Sequence, residues 1–444
     1  MAITRDRNSK TADLRTQQRR VLAGTMVGTT IEWYDFFIYA QAAGLVFAGL
    51  FFSPLTGNNA PIAQLIAWAS LGISFLFRPL GAIVAGHLGD RVGRKAMLVI
   101  TLVTMGAATA LIGLLPTYQQ IGIFAPILLI VLRILQGFSA GGEWGGAALM
   151  AVEHAPRGKR GLFGAYPQIG VPTGLILAAG VMFVITTSMS EQAFLTWGWR
   201  IPFLLSVVLI IIGYLIRRAV AESPVFLEML KRKRESAAPL TDLFRNHTRS
   251  VILTALIFIG DNAAGYMLIA FFSSYATNPV GKGGLGMERG PVLLASTLAA
   301  VFWLLSTLYA GALSDRIGRV RTFQIGYLAI FIWAIPMFLL IDTRNMLWFT
   351  VSLVILTVGL GLAYGPQAAL YAEMFPASVR YSGVSIGYAL GAILGGAFAP
   401  LIAQALLNGT GWSLSIGIYI MVVAVVSFVA VTMVKETKDL SLNS

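Results

Sequence analysis

Twelve long apolar stretches alternate with short polar ones, at about residues 21–50, 62–88, 96–116, 120–152, 161–187, 198–218, 249–277, 291–313, 322–341, 346–373, 381–407 and 412–434. Each approaches or exceeds the roughly 20 apolar residues with which a helix crosses a bilayer. The longest polar interruption, 219–248, divides them six and six and contains the charge run KRKRE at 231–235. A run of that kind reads as a solvated linker. The pattern predicts an all-α integral membrane protein: a tail (1–20), a six-helix bundle (21–218), the linker (219–248), a second six-helix bundle (249–434) and a second tail (435–444).

The polar loops repeat themselves. GHLGDRVGRK at 86–95 and GALSDRIGR at 311–319 keep the spacing G-x-x-x-D-R-x-G-R. Gly86, Asp90, Arg91, Gly93 and Arg94 therefore match Gly311, Asp315, Arg316, Gly318 and Arg319, 225 residues later. A second echo, at an offset of 220, pairs Glu153, Pro156 and Arg160 with Glu373, Pro376 and Arg380. A greasy chain that duplicates its charged loops is an internally duplicated membrane protein. In the first echo an acid and two arginines flank glycines that permit a tight turn. Such a cluster can latch helix ends together in one state and release them in another. These positions form a candidate gate.

Composition excludes a soluble domain. Hydrophobic residues make up 57% and charged ones 11%, with a mean hydropathy of +0.77, against about 25% charged in soluble proteins. The net charge of +13 raises nucleic acid as a partner, and its distribution argues against one. Of the 32 Lys and Arg, 26 fall in the tails and in the loops on one predicted side of the membrane. That asymmetry places both tails in the cytoplasm. With no cysteine, disulfide and thiol chemistry are excluded. The polar first twenty residues and the absence of a small-residue cleavage site predict no removable signal peptide. His87, His154 and His247 are scattered at loops, with no metal spacing and no nucleophile–base set, so an enzyme or a metal site is not expected.

Six ionisable side chains fall inside spans: Glu32, Asp35, Arg78, Arg133, Glu143 and Asp261. Each costs at least about 2.5–3.5 kcal/mol at mid-bilayer, so each needs a partner or a water-filled cavity. Glu32 and Asp35, three apart, share a helix face. Asp261 lies as far past Arg249 as Glu32 does past Arg20, about 18 Å into its helix. Arg133 and Glu143 are about 15 Å apart on one helix and cannot pair, so Arg133 is expected to reach a carboxylate on the first span. Tyr34, Tyr39, Gln136 and Gln168 in the first half, with Asn262, Tyr266, Gln367 and Tyr388 in the second, supply amide and aromatic groups for a small polar pocket.

On these motifs the chain resembles the major facilitator superfamily, whose signature loop follows spans two and eight. IEWYDFFIYA (31–40), FLFRPLG (75–81), RILQGFSAGGEWGGA (133–147), WGWRIPF (197–203) and ESPVF (222–226) are similar to its metabolite:proton symporter family. The resemblance implies a twelve-helix, two-bundle carrier that moves small metabolites by alternating access, coupled to protons. Members take up dicarboxylates and tricarboxylates, shikimate, or proline and betaine. The long C-terminal extension of the osmoregulatory members is not expected here. GVPTGLILAAG at 170–180 matches the drug-antiporter signature only in part, which disfavours drug efflux.

The expected function is proton-coupled import of a carboxylate-bearing metabolite across a bacterial inner membrane, by a monomer in the lipid bilayer with no cofactor. Arg133, helped by Arg78, would hold the carboxylate through a two-pronged contact. Glu143 would stand among the pocket groups. Glu32, Asp35 and Asp261 would carry the proton, since a carboxyl in a water-poor cavity can exchange its proton near neutral pH. A zwitterion carrier and a proton-coupled exporter are the alternatives within transport. A membrane sensor without flux is the alternative outside it.

Overall fold

The computed structural model describes residues 2–218, 220–231, 239–280 and 284–442. Most of the KRKRE run, part of the expected linker, lies outside the described residues. Ten spans are single helices or runs of consecutive helical segments: α2 (Ala60–Val92), α3 (Arg94–Leu114), α4 (Phe124–Glu153), α5 (Arg160–Ser188), α6 (Gly198–Arg218), α8 (Arg289–Ile317), α9 (Arg319–Ile341), α10 (Met346–Glu373), α11 (Arg380–Thr410) and α12 (Leu414–Thr432). The remaining two, α1 (Ala2–Ala42) and α7 (Thr248–Thr277), occupy matching places in the two halves. Both turn π-helical at the same stage, over Ala43–Phe52 and Met267–Phe271. In the first this produces a bend of 69° between Thr16–Ala42 and Val46–Thr56. The span expected over 21–50 is therefore bent, because widening to i→i+5 hydrogen bonds disrupts the helical ladder.

A π-helical stretch over Ile393–Ala397 interrupts α11 as well, and prolines set the breaks in α5 and α10. Pro172 has no N–H to donate and its ring crowds the carbonyl of Gln168. The first segment of α5 accordingly ends at Gln168 and the second starts at Gly170. Pro366 caps the last segment of α10, Gln367–Glu373.

Within the first half, α2 lies against α4, α3 against α4 and α6, and α1 against α5. The second half repeats this, with α8 and α9 against α10, and α7 against α11 and α12. The halves meet where α2 touches α11 and α5 touches α8, with α4 and the end of α10 closing the middle. Contact between α2 and α4 is backbone-close. A Cβ on Gly141 would run into the main chain of Arg78 and Ala82, and one on Gly137 into that of Ser74. That closeness fixes Arg78 at the level of Gly141, near the middle of α4. Outward-facing side chains such as Leu76, Ile100, Leu294 and Val422 are exposed, as lipid contact requires.

Candidate functional site

The charged loops close one end of the molecule, the end that carries both tails (the termini face). Asp90, at the end of α2, accepts from the N–H groups of Tyr381 (3.1 Å) and Ser382 (3.0 Å) and from the Ser382 hydroxyl (2.8 Å). It caps the start of α11 in the opposite half. Its repeat mate Asp315 accepts from the N–H groups of Gly161 (2.8 Å) and Leu162 (2.9 Å) and caps α5. A carboxylate is favoured at a helix N-terminus by the unpaired donors and the dipole there. The second echo adds crossed ion pairs, Arg380 with Glu153 at 3.2 Å and Arg160 with Glu373 at 3.4 Å.

Arg94 and Arg319 tie the two echoes together. Arg94 lies 3.5 Å from Asp90 and 3.7 Å from Glu153. Arg319 lies 2.7 Å from Asp315 and 3.3 Å from Glu373. Gly93 and Gly318 make the turns with φ of 119° and 105°, a region that side-chain-bearing residues rarely adopt. Gly86 and Gly311 allow close approach, since a Cβ on either would meet Ser382 or Ala165 at 2.7 and 2.6 Å. Arg91 and Arg316 are exposed. His154 follows Glu153, and burial lowers its pKa below the usual imidazole value.

A third echo went unread in the sequence. Glu222 accepts from the N–H groups of Arg94 (3.2 Å) and Lys95 (3.2 Å), and Glu436 from those of Arg319 (2.9 Å) and Val320 (3.1 Å). The following Ser223 and Thr437 donate to Glu153 and Glu373. Each carboxylate thus caps the third helix of its own half. The signal was a two-residue match, Glu-Ser against Glu-Thr at an offset of 214, too short to stand out alone.

Above the gate, the halves are plugged by an amide chain. The Trp144 indole donates to Gln168 (2.5 Å), whose amide donates to the Tyr364 carbonyl (3.0 Å) and to Gln367 (3.0 Å). Trp144 also stacks on Tyr388 at 3.8 Å, and Tyr388 on Phe258 at 4.5 Å. Beyond this plug lies a small, partly open pocket lined by Trp33, Val171, Phe258, Asp261, Asn262, Gly265, Tyr266, Ile269, Trp303, Tyr364 and Tyr388. Asn262 donates to the Ala392 carbonyl at 3.0 Å. Asp261 is buried, and its Oδ1 has no hydrogen-bond partner.

The pocket borders a buried ion pair. Arg78 lies 3.6 Å from Glu32, and its guanidinium sits over Phe75 (4.7 Å) and beside Trp33 (5.7 Å). Tyr266 of α7 packs on Trp33, Phe36 and Phe75, at 6.4, 6.1 and 5.5 Å between ring centres. The pair is incompletely bonded: Glu32 Oε2, Arg78 Nε and the Tyr266 hydroxyl are buried without partners. A buried charge with open valences is costly in a structural role. It suits a group that a ligand or a proton completes.

Several expected neighbours are elsewhere. Arg133 does not reach a first-span carboxylate: Arg78 takes Glu32, and Arg133 bonds Gln136 (2.8 Å) and the Leu71 carbonyl (3.2 Å) while covering the Tyr39 ring at 3.8 Å. Glu32 and Asp35 diverge, the first toward α2, the second inward to Thr109 and Ser206, both at 2.7 Å. Glu143 is paired with Arg217 and accepts from Thr101 (2.7 Å), so it stands inside the first half and off the pocket. Arg217, one of the 26 basic residues assigned to the tails and loops of one side, is buried. Tyr34 donates to the Pro202 carbonyl (2.8 Å) and Tyr39 bonds Ser70 (2.7 Å), both off the pocket lining.

Two six-helix halves around a central pocket, with crossed loops shutting one end, define a two-lobe membrane carrier. The sequence signature of the Major Facilitator Superfamily matches residues 25–393. The inner membrane metabolite transport protein YhjE of Escherichia coli K12 is 40% identical over 429 residues, covering 96% of each chain. The shikimate transporter of the same organism is 35% identical over 425 residues, covering 95% of each. The solved proton:xylose symporter XylE superposes with a TM-score of 0.79 at 17% identity, over 97% of this chain and 98% of that one. Its inward-open form gives 0.65 at 18% identity, over 96% and 98%. The chain belongs to the Major Facilitator Superfamily and is a multi-pass membrane transporter of metabolites.

Proposed function

We propose that the protein imports a small carboxylate-bearing metabolite together with a proton, with the termini face in the cytoplasm. One observation carries this reading. The Glu32–Arg78 pair stands at the edge of the pocket with an open valence on each partner. Protonation of Glu32 would remove the anion that Arg78 faces, leaving a buried cation that a substrate carboxylate can satisfy through a two-pronged contact. Substrate and proton would then bind together, and neither alone would leave the pocket neutral. This assigns the clamp to Arg78, with Arg133 one layer away. Asp35 and Asp261 are the further proton sites.

The driving force is adequate without a cofactor. One pH unit supplies about 1.4 kcal/mol, and a net charge crossing about 100 mV adds about 2.3 kcal/mol. A monoanion carried with one proton is electroneutral and draws on the pH term alone. A zwitterion draws on both. The zwitterion reading is favoured by one feature, the unpaired Asp261 among Trp33, Phe258, Tyr266, Trp303 and Tyr388. Aromatic faces and a carboxylate attract a substituted ammonium. Such a monomeric carrier needs no partner beyond the bilayer.

The test is an uptake panel of organic acids and betaines in proteoliposomes, with and without a protonophore. Uptake of at least one organic acid that the protonophore abolishes supports the proposal. Uptake confined to betaines moves it to the zwitterion reading, and uptake indifferent to the protonophore refutes proton coupling.

A further inference from the structure

Asp35 and Arg133 are buried in the same half and within electrostatic reach of each other, yet no ion pair joins them. Two neutral side chains stand between. Arg133 donates to Gln136 Oε1 (2.8 Å), Gln136 Nε2 donates to the Thr109 hydroxyl (2.6 Å), and Thr109 donates to Asp35 Oδ2 (2.7 Å). The direction of this chain is forced by chemistry. Arginine has donors only, so the amide oxygen must face it and the amide nitrogen must face Thr109. The hydroxyl then accepts from Gln136 and has one proton to give. Within its reach are Asp35 Oδ2 and the Met105 carbonyl at 3.0 Å.

We propose that Thr109 and Gln136 are positioning residues that make Asp35 and Arg133 one extended ion pair, so that protonation of Asp35 uncovers Arg133. With Asp35 ionised, every donor points from cation to anion and each bond polarises the next. When Asp35 takes a proton on Oδ2, it donates to the Thr109 oxygen, and the Thr109 proton turns to Met105. All bonds are kept and the polarity of the chain collapses at its acid end. Arg133 is then a buried cation without its counter-charge. Its role in transport rests on the proton-coupled reading above.

The surroundings leave little else to carry the signal. The groups that act electrostatically on Asp35 are Arg133, with Glu32 and Tyr34 on its own helix. From α2 the charged neighbour is Arg78, held by Glu32. Between 96 and 114 of α3, 201 and 216 of α6, and 161 and 188 of α5 the sequence has no charged residue. What α3 and α6 present to Asp35 is a hydroxyl each, Thr109 and Ser206.

The experiment is infrared titration of the purified full-length protein in lipid, following the protonated-carboxyl band that Asp35→Asn removes. In an otherwise native chain, Arg133→Gln should displace the midpoint of that band by about tenfold in proton concentration or more. In a Thr109→Val background the same change should displace it by less than threefold, and Thr109→Ser should restore the full displacement. Gln136→Leu should act as Thr109→Val does. Equal displacement in every background would mean that the charges interact through space alone and would overturn the relay. Absence of any band lost with Asp35 between pH 4 and 10 would overturn it as well. The readout needs no flux, so a carrier that proves indifferent to protons leaves this result standing by itself.

Discussion

The gate on the termini face and the layer around the pocket are both buried and both charged, and their carboxylates are bonded in opposite ways. At the gate, Asp90 accepts three hydrogen bonds and Asp315 accepts two backbone ones plus Arg319. Almost every such contact has a mirror in the other half. In the middle layer, Glu32, Arg78 and Asp261 each retain a buried atom with no partner, and the two halves contribute different residues. Symmetry and fully bonded carboxylates suit an element that must close the same way every cycle; at the gate it is an arginine nitrogen, Arg94 Nε, that has no hydrogen-bond partner. Asymmetry and open valences suit an element that binds something else. The difference separates latch from site without reference to any relative.

Four substitutions break or sharpen that contrast. A pair inside one half whose carboxylate is fully bonded should behave as structure: Glu143→Leu strands Arg217 in the interior and should cost about 3–5 kcal/mol of stability, read as thermal unfolding in detergent, with substrate KM unchanged in the folded fraction. At the open pair, Glu32→Gln should abolish uphill uptake, forfeiting a gradient worth about 1.4 kcal/mol per pH unit, while exchange of labelled for unlabelled substrate persists. Loss of both activities would make Glu32 structural and erase the contrast.

The next effects are smaller. Arg78→Lys keeps the charge and loses the two-pronged geometry, so KM should rise by roughly tenfold or more, as expected for a charged hydrogen bond worth about 1.5–3 kcal/mol. An unchanged KM would return the clamp to Arg133. Asp90→Ala removes one helix cap, a loss of about 0.5–2 kcal/mol, and should open the gate several-fold more often. The chain has no cysteine, so a single Ser385→Cys, buried between gate and pocket, reports that opening by its alkylation rate from the termini side. A rate unchanged by Asp90→Ala would deny the latch.

The sequence disclosed the gate because its chemistry is local and repeated: Asp90, Arg94 and their mates sit at fixed spacing in loops. It disclosed the spans because bilayer thickness imposes their length. The partners inside the bundle were harder to read. Arg217 and Arg218 are adjacent at the end of α6, and only helix rotation decides that the first turns inward to Glu143 and the second outward. Arg133 and Arg78 both lie at plausible depth for Glu32, and the glycine-close contact of α2 with α4 decides between them. Nothing in the local sequence marks Trp33, Trp303 and Tyr364; tertiary packing alone puts them around Asp261. The bend after Ala42 depends on a π-helical stretch that apolar periodicity does not signal.

The central claim is that solute and proton cross together through the pocket that Glu32 borders. The most direct measurement is luminal pH in proteoliposomes of the purified protein, recorded while a solute from the uptake panel enters down its own gradient. The account predicts acidification that tracks uptake and vanishes with Glu32→Gln. Uptake of the solute by the unmodified protein at constant luminal pH would contradict it.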